Sequence, residues 1–410
     1  MRGVIVGAAV VVLSSPAVGQ PPPPAAKNAA LQYLVAFQLT PRFDKSHPEH
    51  AVSKRVLDGW KTIPFTKDVI AHMDYYQTAL DFLHRGAAVE ECVWPSQVNA
   101  DRDATPYSPQ HDPRTLAVAA RFRARYRFEN DSPKAALADV FATLRLARHI
   151  ESAGTGFDRL IADVVEAPAA EFAAAHLWAL DRPSLCRDFL TRWDALPRPR
   201  TAADALRTER NNRIALFQRY RLDGPEPPRP DLLGQEVRRE PADRLATVAF
   251  LAGRETEDQA VARFVDVVRR TYTRAAEIAE LPLAEVKDAA AAWSGAFEEL
   301  VGKNKTPDRH LLQVEAGCFL GCNPYRDRLR QERMTALRAM LRAAVAARLR
   351  GDDTPTENDP FGIGPFARTV TPTGYELRTQ LNGLLAEAEK ANVRCGGPVV
   401  LSVHLTRPKN

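Results

Sequence analysis

The segment Ser132-Pro133-Lys134-Ala135-Ala136-Leu137-Ala138-Asp139-Val140-Phe141-Ala142-Thr143-Leu144-Arg145-Leu146-Ala147-Arg148-His149-Ile150 has the period of an amphipathic helix. Leu137, Val140, Phe141 and Leu144 recur at spacings of three and four, so they form one apolar stripe that has to be buried against other helices. Ser132 stands where a hydroxyl caps a helix, and Pro133 suits the first turn, where its missing N–H costs nothing. The same spacing returns in Val261, Phe264, Val265, Val268 and Tyr272.

Outward from this segment, Pro, Gly, Asp and Thr punctuate the pattern at short intervals. The reading predicts helices near 26–39, 49–60, 65–91, 113–129, 132–152, 156–180, 182–196 and 202–222, then near 241–252, 256–280, 283–303, 307–320 and 324–350. The pattern changes after Gly351. A polar loop leads to Asp359-Pro360-Phe361, and 366–370 and 375–379 read as a hairpin around Thr371-Pro372-Thr373-Gly374. A short helix near 382–392 and an alternating strand at 399–405 complete the chain. The expected fold is mainly α, a multi-helix array or bundle of antiparallel helix pairs, with a small C-terminal α+β tail.

At 410 residues the chain exceeds the usual size of one compact core. The Pro-rich stretch 223–231 is the candidate boundary between helical regions at 26–222 and 232–351, with the tail at 352–410. The N-terminus has the parts of a secretory signal over 1–19: Arg2, an apolar run from Val4 to Leu13, and Ala17-Val18-Gly19, with cleavage expected between Gly19 and Gln20. That run is shorter than the about 20 residues a bilayer span needs, so no membrane span is expected after cleavage. Residues 20–25 open the mature chain as a Pro-rich spacer, and the expected location is exported, periplasmic or secreted.

A net charge of +5 is the small difference between 56 basic and 51 acidic residues, interleaved along the helices. That reads as a solvated, salt-bridge-laced surface. The densest basic run, Arg121, Arg123, Arg125 and Arg127, splits between opposite helix faces and makes no continuous stripe, so no nucleic-acid partner is expected.

Five cysteines, an odd number, leave at least one without an intrachain partner in an oxidising compartment. Cys318 and Cys322, four apart, read as a disulfide or as buried thiols; a second ligand pair for zinc is missing. The chain has no phosphate-cradling glycine loop, no nucleophile elbow and no zinc-helix motif, and no cofactor is indicated. The remaining constellation is the loop 94–113, where Asp101, Asp103 and His111 are the metal candidates, with Asp112 beside them; turn-forming loop residues are the plainer reading. His47 and His50 make a weaker pair at an exposed turn. Cys92 and Trp94 read as packing partners, and His149 and His176 as structural residues within helices.

Residues 115–150 are similar to one helix-turn-helix of the tetratricopeptide type, with Ala119, Tyr126, Phe128, Ala135, Ala138 and Leu144 at its small and large packing positions; no second copy follows. Several further stretches are Asn28-Ala29-Ala30-Leu31-Gln32-Tyr33, Ala79-Leu80-Asp81-Phe82-Leu83, Cys92-Val93-Trp94, Ala135 to Asp139 running to Leu144-Arg145-Leu146-Ala147-Arg148-His149, Asp359-Pro360-Phe361 and Gly374-Tyr375-Glu376-Leu377. On these the chain resembles a group of exported helical proteins of planctomycete-type bacteria. In that group the thiol motif often carries Asp where Val93 stands here, and this removes the carboxylate a metal or acid–base role would use. The resemblance implies an architecture and no mechanism. The expected function is a non-catalytic helical scaffold or a module binding a protein or peptide partner; the alternative is an exported hydrolase or metal-dependent enzyme using the 92–112 loop.

Overall fold

A computed structural model describes residues 28–94, 113–219, 257–303 and 323–407, apart from 353, 392 and 394. The helices expected near 241–252 and 307–320, the boundary at 223–231 and the signal segment lie outside these residues.

In chain order the elements are α1 (Ala29–Leu39), α2 (His50–Gly59), α3 (Lys67–Asp74), α4 (Gln77–Ala88), α5 (Pro113–Glu129), α6 (Pro133–Ser152) and α7 (Gly156–Ala175). A short 3-10 turn (Leu177–Ala179) precedes α8 (Pro183–Asp194), and α9 (Ala202–Arg219), α10 (Glu257–Glu280), α11 (Leu283–Lys303) and α12 (Pro324–Arg350) follow. The tail holds β1 (Ala367–Thr371), β2 (Gly374–Arg378), α13 (Leu381–Lys390) and β3 (Val400–His404). The fold is mainly α with one small three-stranded antiparallel sheet, ordered β1-β2-β3.

α5 and α6 form a tight hairpin. Its turn is closed by the Ser132 N–H donating to the Arg127 carbonyl at 2.8 Å. Asp131 takes a left-handed φ of 52°, which a short polar side chain tolerates better than most. Ser132 does not cap α6 as its position suggested: its hydroxyl turns back to the Asn130 carbonyl at 3.3 Å, while Pro133 does occupy the first turn. α6 then packs on α7, and these two helices sit between α4, α5, α8, α9 and α12.

The single helix expected over 65–91 is two helices. No Pro or Gly marks the break at Tyr75-Tyr76; the Tyr76 N–H simply bonds to Met73, three residues back. The halves serve different neighbours, with α3 lying on α2 and α4 on α1, α5 and α6, so tertiary packing overrides a continuous local pattern.

The arginines of α5 overturn the expectation of a solvated surface. Arg121, Arg123 and Arg125 are buried, because α5 touches α1, α2, α4, α6 and α7 and these neighbours cover its central turns from Leu116 to Arg125. Each guanidinium finds an internal counterpart. Arg125 donates to the Trp60 and Ile63 carbonyls at 3.0 and 2.8 Å, satisfying groups at the end of α2, and lies over the Phe65 ring. Arg121 lies 4.9 Å over Trp60. Arg123 is held by Asp139, described below.

Two motifs of the resemblance prove to be structural joints. The Asn28 side chain accepts from Ala30 N–H at 3.0 Å, capping α1, and exchanges hydrogen bonds with both the N–H and the carbonyl of Val93. Cys92 and Trp94 thereby pack into the core shared by α1, α4 and α6. Buried Asp359 accepts from the Phe361 and Gln380 N–H groups and the Thr379 hydroxyl, fixing the loop before β1 to the start of α13.

The hairpin strands fall within one residue of expectation, with Thr371 paired to Gly374 across a two-residue turn. Gly374 is needed there: a β-carbon would stand 2.1 Å from the Val403 carbonyl oxygen of β3. The tail is not a separate body. Tyr375, Leu377, Leu381, Leu401 and Val403 belong to the same apolar cluster as Leu337 and Leu341 of α12 and Phe172 of α7.

Candidate binding cleft

Two buried ion networks tie the helices together, and a cleft opens beside the second of them. The first centres on Asp139 of α6, which is 0% exposed. Arg123 grips it with Nη2 at 2.6 Å and Nε at 3.2 Å, Arg127 Nη1 lies at 2.8 Å, and His84 Nε2 stands 2.7 Å from Oδ1. Burial pushes this carboxyl up, but the His84 and Arg donors outweigh it and hold it below the ordinary range.

The second network centres on Glu166 of α7, 1% exposed. Arg338 of α12 binds it through both oxygens at 2.7 and 2.8 Å, and Arg148 of α6 adds a contact at 2.9 Å. Here too burial raises the carboxyl and the two arginines more than reverse it. Glu151 of α6, 3.6 Å from Arg148, is raised by burial.

The cleft, about 210 Å³, opens beside this network between α7, α9, α10 and α12. Ala202, Ala205 and Leu206 of α9, Tyr272 of α10 and Leu160 of α7 supply its apolar lining. Phe157, Leu160 and Val164 continue along α7 as an exposed stripe, Phe157 being 56% exposed. Among its charged residues, Glu209 accepts from Arg213 at 2.9 Å, and Asp327 lies 3.3 Å from Arg326 and 3.8 Å from Arg330.

Two cleft groups on α7 differ from these. Arg159 is 7% exposed, yet its Nε and Nη1 have no hydrogen-bond partner; the nearest carboxylate oxygen, on Glu151, is 4.0 Å away. Asp163, one turn further on, has no hydrogen bond among the described residues. Burial, opposed by Arg159 and Arg338 and assisted by Glu166 and Glu151, brings its carboxyl to about 7. Asp327 is raised in the same direction by burial.

Asp101, Asp103, His111, Cys318, Cys322 and the Gly19–Gln20 junction are outside the described residues. His47 accepts from the Glu49 N–H at 3.1 Å, and His50 Nδ1 stands 2.8 Å from the Phe43 carbonyl, so both serve the turn into α2. Among the described residues no group of three or more His, Cys, Asp and Glu side chains is placed to hold a metal ion. Cys92, Cys186 and Cys395 are free thiols, and burial pushes Cys92 up to about 12, which keeps it protonated and unreactive. No described helix is long and apolar enough to cross a membrane.

His149 is buried within α6, whereas His176 stands just past the end of α7 as its cap, its Nδ1 2.9 Å from the Phe172 carbonyl. His149 Nδ1 is 2.9 Å from the Tyr33 hydroxyl, and burial lowers its ring from 6.5 to about 4. The folded state therefore binds this proton less readily than the unfolded chain, so the contribution is neutral above pH 6.5 and costs stability as pH falls from there through 4. Asp163 and Asp158, the latter raised to about 6 by burial, act in the opposite sense over the same range. A single variant separates the two: His149→Gln should gain about 2–3 kcal/mol relative to the parent between pH 7 and pH 4.5, read from denaturant midpoints at the two pH values. An unchanged difference between the two proteins would show that His149 titrates normally.

No family model, no curated protein and no solved structure matches this chain.

Proposed function

We propose that the chain is an exported helical module that binds a protein or peptide segment in the cleft between α7, α9, α10 and α12. The observation that carries the reading is the junction of an exposed apolar stripe, Phe157, Leu160 and Val164, with a half-open cleft whose walls mix apolar and charged side chains. Such a surface suits a partner that presents apolar side chains on a polar backbone. The α5–α6 hairpin of tetratricopeptide type, the signal-like residues 1–19 and the likeness to exported planctomycete-type proteins are in keeping with it. The enzyme alternative rests on Asp101, Asp103 and His111, and no observation on the described residues favours it.

The test is a peptide array probed with the labelled chain, repeated with two variants. Leu160→Arg, which places charge at the cleft from an exposed position, should lose the peptides that bind, whereas Leu384→Arg on the exposed side of α13 should keep them. Equal binding by both variants would place the site elsewhere, and an array with no binders would end the reading.

A further inference from the structure

We propose that the cleft recognises a carboxylate, with Arg159 as its anchor and Asp163 beside it, and that the ligand is the C-terminal end of a peptide with an apolar last residue. The inference deepens the peptide-binding reading and rests on it.

Charge accounting within the cleft leads there. Glu209 is matched by Arg213, and Asp327 by Arg326 and Arg330. Arg159 is left. A guanidinium stripped of water costs free energy unless a partner restores its hydrogen bonds, and Glu151, shared with Arg148, stands too far away to do so. A ligand carboxylate fits the donor fork of Arg159, which matches carboxylate geometry better than any point charge would.

Asp163 decides between a carboxylate and an ammonium. Facing it are Arg159 and Glu166 of its own helix, Glu151 and Arg148 of α6, and Arg338 and Arg330 of α12, while Glu209, Arg213 and Tyr272 close the cleft from α9 and α10. In that setting its carboxyl holds a proton up to about pH 7. A protonated Asp163 donates to an incoming carboxylate, and the incoming negative charge strengthens its hold on the proton. An ammonium would instead require the ionised form. The volume, about 210 Å³, takes one residue-sized unit with Leu206, Ala202 and Ala205 around its side chain and the remaining peptide led out along Leu160 and Phe157.

The experiment is fluorescence anisotropy of the full mature chain with N-terminally labelled Ala-Ala-Ala-Ala-Leu, its C-terminal amide, and unlabelled leucine as competitor. The acid peptide should bind at least about tenfold more tightly than the amide, the share expected of a charge-assisted hydrogen bond. Its affinity should weaken as pH rises through about 7. Arg159→Gln, with its circular dichroism unchanged, should lose about tenfold for the acid peptide and nothing for the amide. Asp163→Asn keeps a neutral donor, so it should bind at pH 6 and lose the pH dependence.

Equal affinity for acid and amide, with both abolished by Leu160→Arg, would overturn the carboxylate assignment and leave the peptide-binding reading standing. Affinity that rises with pH would assign Asp163 to a cation and overturn it equally. Leucine competing as strongly as the peptide would move the site to free amino acids and remove the peptide. Binding by neither peptide, together with an empty array, would remove both proposals.

Discussion

Glu166→Ala should lower the free energy of unfolding by about 3–5 kcal/mol, the cost of leaving buried charges without their counterion. Glu166 is 1% exposed and is the shared acceptor of Arg338 and Arg148, so its loss strands two guanidinium groups from α12 and α6 against α7. The neighbouring carboxylates cannot substitute: Glu151 is 3.6 Å from Arg148 and is itself disfavoured as an anion by burial. A second variant separates lost packing from stranded charge. Replacing Glu166, Arg148 and Arg338 together by Met removes all three charges while keeping apolar volume, and should restore most of the lost stability. Urea unfolding followed by circular dichroism gives both numbers. If Glu166→Ala unfolds within about 1 kcal/mol of the parent, the network contributes no more than a surface pair would.

Asp139→Ala should cost a comparable amount, about 3–5 kcal/mol, and its effect should be local in a telling way. Asp139 joins three helices: Arg123 and Arg127 come from α5, His84 from α4, and Arg123 carries the link on to Gln77 at 2.9 Å. Removing the carboxylate frees α4 first, because α4 enters the network through His84 and Gln77, and its own acidic group near Arg127, Asp81, is exposed. Hydrogen exchange should therefore show protection falling in Gln77–Ala88 before it falls in α7. Asp139→Asn retains one acceptor oxygen and should be milder. Uniform loss of protection across the helices would show that Asp139 holds the whole fold rather than this joint.

The helical architecture was legible because its signal is local. Leu137, Val140, Phe141 and Leu144 announce their burial by spacing alone, and all four are in the core. The hairpin at 367–378 was legible for the same reason, since Pro372, Thr373 and Gly374 define a turn over a few residues. Illegible features depend on which helix meets which. Arg121, Arg123 and Arg125 spread around α5 and so read as solvated; they are buried because neighbouring helices cover the middle of α5, a fact that resides in other helices' sequences. The break at Tyr75-Tyr76 has no local marker, because it serves different neighbours of α3 and α4.

The cleft was missed altogether. Arg159 and Asp163 are spaced i, i+4 on α7 and read as an ordinary surface ion pair. Their importance arises because they do not pair with each other and because α9, α10 and α12, contributed from 202–219, 257–280 and 324–350, enclose them. The available signal was Phe157, Leu160 and Val164, an apolar row on the same helix as those charges. It marks α7 as a helix with two apolar sides, one of which has no partner among the described helices.

The position of β3 has a consequence for the order in which the chain can acquire its structure. Leu401 and Val403 close the apolar layer against α7 and α12, although β3 follows the end of α12 only after the whole hairpin and α13 have been made. A ribosome-bound chain that has completed α12 still presents those two helices with bare faces, so this part of the core closes only after residues 400–404 have emerged. For a protein that, as we propose, must cross a membrane before it works, this delay keeps α7 and α12 threadable until that strand is made. Removing residues 400–404 would accordingly leave a chain that translocates well and fails to mature.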